Sequence, residues 1–143
     1  MLNKKTIKGE VPANVSALFH QEEYGKLATD PNSTFLLLTL KDQSGKVLSE
    51  IVYYFSYPKD QDLPDAQIRY KVKQMDGKCE ITLSAKQLAR DVFIEIPYQG
   101  ARFTDNFFDL IPGQSKKVII TSDEIEKNKE LNLKIRHLQS IIK

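Results

Sequence analysis

Tryptophan is missing from the 143-residue sequence, cysteine occurs once and histidine twice. A lone Cys79 excludes an intrachain disulfide and any zinc site built on paired thiolates, and it leaves the redox compartment open. On the apolar side of its strand, it reads as a buried, inert thiol. His20 and His137 are distant in sequence and have no partners at metal-ligand spacing, so both read as surface or boundary residues. A formal net charge of +2 is too small to call for a nucleic-acid or acidic-membrane partner. No apolar run approaches the ~18–20 residues that span a bilayer, and residues 1–6 lack the apolar core of a secretory signal. No Ser–His–Asp order and no phosphate-cradling glycine loop is present. The expectation is a chain without metal or cofactor, and with neither nucleic acid nor membrane as partner.

What is present is a succession of short, alternating segments. With 41% hydrophobic and 28% charged residues, the composition suits a globular protein large enough to bury a core. Residues 4–11 and 15–20 read as first strands. Phe35 to Leu40 is a continuous apolar run, as in a strand covered on both faces. An Asp42–Gly45 turn leads to Lys46–Tyr57, where Val47, Ile51, Tyr53, Phe55 and Tyr57 share one face. Pro58 to Pro64 is a polar connection. Ile68, Tyr70 and Val72 alternate with Arg69, Lys71 and Lys73, and an Asp76-Gly77 turn joins them to Cys79, Ile81 and Leu83. Ser84 to Arg90 holds good helix formers after a candidate N-cap and predicts one or two helical turns. Val92, Ile94 and Ile96 mark a further strand. Ser122 to Glu130 is a charged connection with room for a loose helical turn, and Leu131, Leu133 and Ile135 give the last strand. Seven to nine short strands without a long helix predict an all-β, immunoglobulin-like sandwich, expected as a single domain over residues 1–143.

The densest signal lies between Arg102 and Thr121. Three Phe residues crowd six positions, Pro112-Gly113 fits a tight reversal, and Lys117 to Thr121 is rich in β-branched residues. Phe103-Thr-Asp-Asn-Phe-Phe-Asp-Leu-Ile-Pro-Gly113 resembles the SDNYFDLLPGE-type segment near the C-terminus of β-mannosidases, multidomain glycosidases of glycoside hydrolase family two. Upstream, Ser49-Glu-Ile-Val-Tyr-Tyr-Phe55, then Pro58-Lys-Asp60 and Leu63-Pro64, resembles the SENYYFFxxPKDLxLP pattern of the same module. Gln61-Asp62 stands where that pattern has Leu. The matches run in the family's order, and the resemblance covers residues 34–121. It implies an immunoglobulin-like accessory domain, the C-terminal fragment of a larger enzyme whose catalytic glutamates lie on an upstream barrel. No residue here matches those glutamates. The parent's compartment stays open, with periplasm, secretion and lysosome all compatible.

Several side chains invite a chemical reading. Asp105 and Asp109 could be posed as a glycosidase's paired carboxylates, but acids flanking an aromatic turn more often bond backbone amides. Asp60, Asp62 and Asp65 offer clustered oxygens for Ca²⁺ without the glycine and distal Glu of an EF-hand loop, which favours a solvated loop. The row Arg69, Lys71, Lys73 has no interleaved aromatics to stack bases and reads as a solvated sheet face. Tyr24, Tyr54 and Tyr98 are candidates for stacking sugar rings or for an apolar seam against a neighbouring domain. Asn14 and Asn32 fit the glycosylation pattern. Three functions follow as expectations. The first is a non-catalytic domain that packs against and stabilises the rest of a β-mannosidase. The second is a carbohydrate-binding module with a glycan as partner, and the third an unrelated adhesion or scaffold domain.

Overall fold

The computed structural model describes residues 4–126 and 129–141. The single domain expected over residues 1–143 gives way to two compact units, Met1–Asp62 and Leu63–Lys143. The break falls in the Pro58–Pro64 connection, where prolines at both ends interrupt strand pairing.

In the first unit a short helix α1 (Tyr24–Leu27) precedes the strands β1 (Phe35–Lys41) and β2 (Val47–Tyr54), and a 3-10 turn covers Pro58–Asp60. β1 and β2 form a two-stranded antiparallel sheet. The Asp42 carboxylate builds its turn: Oδ1 accepts the Ser44 and Lys46 amides, each at 2.9 Å, and the Ser44 hydroxyl at 2.6 Å. Gly45 closes the reversal with φ 85°. Register pairs Leu36 with Tyr53 and Leu38 with Ile51, which places these apolar side chains on one face. That face is open: Leu38, Leu40, Ile51 and Tyr53 are 50%, 61%, 62% and 51% exposed. Coverage of Phe35–Leu40 on both faces is therefore not observed. Residues 4–20 carry strand-like alternation but form no strand, because alternation supplies a face and not a hydrogen-bonding partner. Among the described residues Ala28 is the sole buried hydrophobic of this unit.

The second unit is a sandwich. One sheet has the order β3 (Ile68–Met75), β4 (Lys78–Ala85), β8 (Ser115–Thr121), β6 (Arg102–Phe103); the other has the order β7 (Phe108–Leu110), β5 (Ala89–Glu95), β9 (Lys134–Arg136). A terminal turn of helix, α2, covers Leu138–Ile141. Cys79, Ile81 and Leu83 of β4, Val118 and Ile120 of β8, and Val92 and Ile94 of β5 are all 0% exposed, so the alternation read in the sequence is the core itself. Fully burying each such aliphatic side chain contributes about 1.5–3 kcal/mol. Burial also raises the pKa of the Cys79 thiol.

Two expectations for this unit fail for physical reasons. Ser84–Arg90 is not helical: β4 continues to Ala85, and the Lys86 and Gln87 amides both bond the Ala66 carbonyl before β5 begins at Ala89. A bulge follows at once. Ala89 pairs with Leu110 and Val92 with Phe108, so three steps on β5 match two on β7, and Ala89 and Val92 both face inward. Asp91 takes up the extra residue at φ 50°, its amide held by Asp109 Oδ1 at 2.9 Å. The expected helical turn after Ser122 is also absent from the described residues there, and residues 127 and 128 lie outside them. Instead Ile125, 1% exposed, plugs the core, and its carbonyl accepts the Gly77 amide.

Candidate functional site

The aromatic stretch proves to be a set of braces. Thr104 pairs with Ile119 through its amide, at 2.9 Å, and its hydroxyl oxygen, which accepts the Ile119 amide at 3.0 Å. Asn106 replaces a strand neighbour for Ile94, accepting its amide at 2.9 Å and donating to its carbonyl at 3.0 Å. Asp109 holds the bulge, and Asp105 pairs with Lys116, whose ammonium lies 5.2 Å from the Phe108 ring centroid. Each carboxylate thus has a partner within the fold, Asp109 the Asp91 amide and Asp105 the Lys116 ammonium. The sequence signalled both aspartates as backbone binders; Asp109 holds a backbone amide, whereas Asp105 pairs with a lysine side chain. Thr104 and Asn106 were not singled out, although short polar side chains beside a turn are suited to such bonds.

Tyr24 and Tyr54 belong to the first unit, and each contacts a different ring there. Tyr24 is half exposed; its hydroxyl donates to the Phe55 carbonyl at 2.7 Å and its ring meets Phe55 edge-on at 5.1 Å. Tyr53 meets Phe55 in the same manner at 5.1 Å, while Tyr54, on the opposite face of β2, leans on Phe35. Tyr98 belongs to the second unit and packs against its core. A different ring pair comes together there, unsignalled by the sequence: Phe93 and Phe107 stack with centroids 4.6 Å apart and planes 22° apart. Phe107 is 68% exposed and sits at φ 61°, in the left-handed region.

The remaining candidates resolve locally. His20 Nε2 lies 2.9 Å from Glu22 Oε1, which also pairs with Lys5 at 3.0 Å, and the Lys5 contact foremost holds the Glu22 carboxyl below its ordinary range. His137 Nδ1 lies 3.0 Å from the Oε1 of Gln139, a buried side chain whose Nε2 donates to the Leu88 carbonyl at 2.6 Å. Asp65 accepts the Gln67 amide, and Asp60 and Asp62 are exposed. Among the described residues no group of three or more His, Cys, Asp or Glu is placed to hold a metal ion, and no helix is long and apolar enough to cross a membrane. Arg69, Lys71 and Lys73 are exposed along β3, opposite Ser84, Thr82 and Glu80.

Comparison with known families follows the same division into two units. Residues 63–141 match the model of the mannosidase Ig-fold domain, which is more than half of the chain. The chain belongs to this mannosidase Ig-fold family. Residues 1–60 match a second model, the mannosidase Ig/CBM-like domain. No relative among the curated proteins matches the chain. An accessory Ig-like part of a mannosidase accounts for both matches, with no catalytic duty assigned to the chain itself.

Proposed function

We propose that this chain is the non-catalytic Ig-like region of a β-mannosidase, a larger enzyme that removes terminal β-D-mannosides. Its role is to pack against the catalytic part and stabilise it. The β specificity rests on the two ordered motifs, Phe103–Gly113 and Ser49–Pro64, on top of the family membership. The packing role rests on the open face of the β1–β2 hairpin, where Leu38, Leu40, Ile51 and Tyr53 are each at least half exposed. A two-stranded sheet is marginal in water by itself, and a contiguous apolar face of this kind marks an interaction surface.

The test places Leu38→Glu and Ile51→Lys, singly, in the full-length enzyme that carries this region, and follows hydrolysis of aryl β- and α-mannosides alongside Tm. Charging a covered face lowers Tm by several degrees and activity with it, and the chain alone turns over nothing. Unchanged Tm and activity in both variants would refute the packing role, and activity confined to α-mannosides would refute the β specificity.

A further inference from the structure

The outer surface of the β7–β5–β9 sheet carries a feature that the core does not need. Register sets Phe93 opposite Arg136 and Glu95 opposite Lys134, so these four side chains share the face pointing away from the core residues Val92 and Ile94. Arg136 Nε bonds Glu95 Oε2 at 3.0 Å, and both side chains remain about half exposed, at 52% and 44%. Over Phe93 lies the stacked ring of Phe107.

Phe107 is an unusual residue for its place. A non-glycine residue at φ 61° is strained, and its exposed ring returns little burial for that strain. The conformation is imposed by Asn106, whose Oδ1 accepts both the Ile94 and the Phe107 amides, at 2.9 and 3.2 Å. The ring is thereby fixed as a shelf before any ligand arrives, which lowers the entropic cost of binding.

We infer that this shelf binds a neutral pyranose oligosaccharide. A pyranose has an apolar C–H face, which suits the exposed aromatic ring, and a rim of hydroxyls that both donate and accept. The Arg136–Glu95 pair supplies the matching donors and acceptors beside Phe93. A protein partner fits less well, since two rings beside an exposed ion pair are far smaller than the ~1,000 Å² of a specific interface. The ligand class stands on these side chains and is independent of the packing role proposed for the first unit.

The experiment titrates the full chain, ¹⁵N-labelled, with mannohexaose and separately with cellohexaose, to roughly 20 mM, above the Kd on the order of 1–10 mM expected for one stacked ring and a few hydrogen bonds. Shifts from either sugar that concentrate at Phe93, Glu95, Phe107 and Arg136 support the site. Phe107→Ala should weaken them roughly tenfold and Phe107→Tyr should retain them, with the core resonances of Ile81 and Val118 unmoved in both variants. Silence with both sugars, shifts centred elsewhere, or shifts that survive Phe107→Ala would each overturn the assignment. So would concentration-dependent broadening at Phe107 without sugar, which would mark a protein contact instead.

Discussion

Asn106 gives the sharpest test of how the sandwich is held. Its amide satisfies the N–H and the C=O of Ile94, a residue with 0% exposure, at 2.9 and 3.0 Å. Replacing it with alanine strands both backbone groups, each at about 1–3 kcal/mol if nothing replaces the bond. Asn106 itself is only half buried, so water reaches part of the gap, and the expected net loss is about 2–4 kcal/mol. Asn106→Asp should lose a similar amount, because it keeps the acceptor for the amide and turns a carboxylate on the Ile94 carbonyl. The assay is urea unfolding followed by amide resonances of residues 63–141, since the chain has no tryptophan to report. The midpoint should fall at constant m. Asn132→Ala, at an exposed position, is the control and should stay within ~0.5 kcal/mol of the parent. If Asn106→Ala matches that control, the brace is not a brace.

Two further predictions concern protonation. The Ser44 hydroxyl foremost, then the Lys46 amide, holds the Asp42 carboxyl below its ordinary range. With the folded pKa depressed, the turn's stabilisation is present above the unfolded value and lost as pH falls through the folded one. Ser44 and Lys46 amide exchange should therefore accelerate relative to Asp42→Asn only below about pH 4, and a flat ratio down to pH 2 would refute the linkage. Burial foremost raises the pKa of Cys79, so its stabilisation is present below the unfolded thiol pKa and declines as pH rises above it. A maleimide reagent should leave Cys79 unlabelled in the native chain near pH 8 and label it fully in urea; rapid native labelling would show that β4 opens locally.

The core of the second unit was legible because it is written with period two. Cys79, Ile81 and Leu83 need only alternate and have a facing sheet, and both conditions are met inside one unit. Ser84–Arg90 misled because helix propensity is a local preference of a few tenths of a kcal/mol per residue, overridden here by bonds to Ala66 and by a bulge that Asp109 holds from 18 positions away. The Phe93–Phe107 shelf was hidden for a related reason: it depends on a left-handed Phe, which propensity argues against. The surroundings of each tyrosine were not legible because they are set by the side chains that it packs on. Tyr98 shares a core with β4 and β5, while Tyr24 edges onto Phe55.

The basic row on β3 has a consequence of its own. β3 is the terminal strand of its sheet, and even its inward-side residues Tyr70 and Val72 are 51% and 38% exposed. A long strand with an apolar side at the end of a sheet is a template on which a second copy could add its own strand, the first step toward fibrous aggregation. Arg69, Lys71 and Lys73 set three like charges along that strand, so a second copy docking there would bring charge against charge. The row thus places a gatekeeper's charge on the strand that ends the sheet.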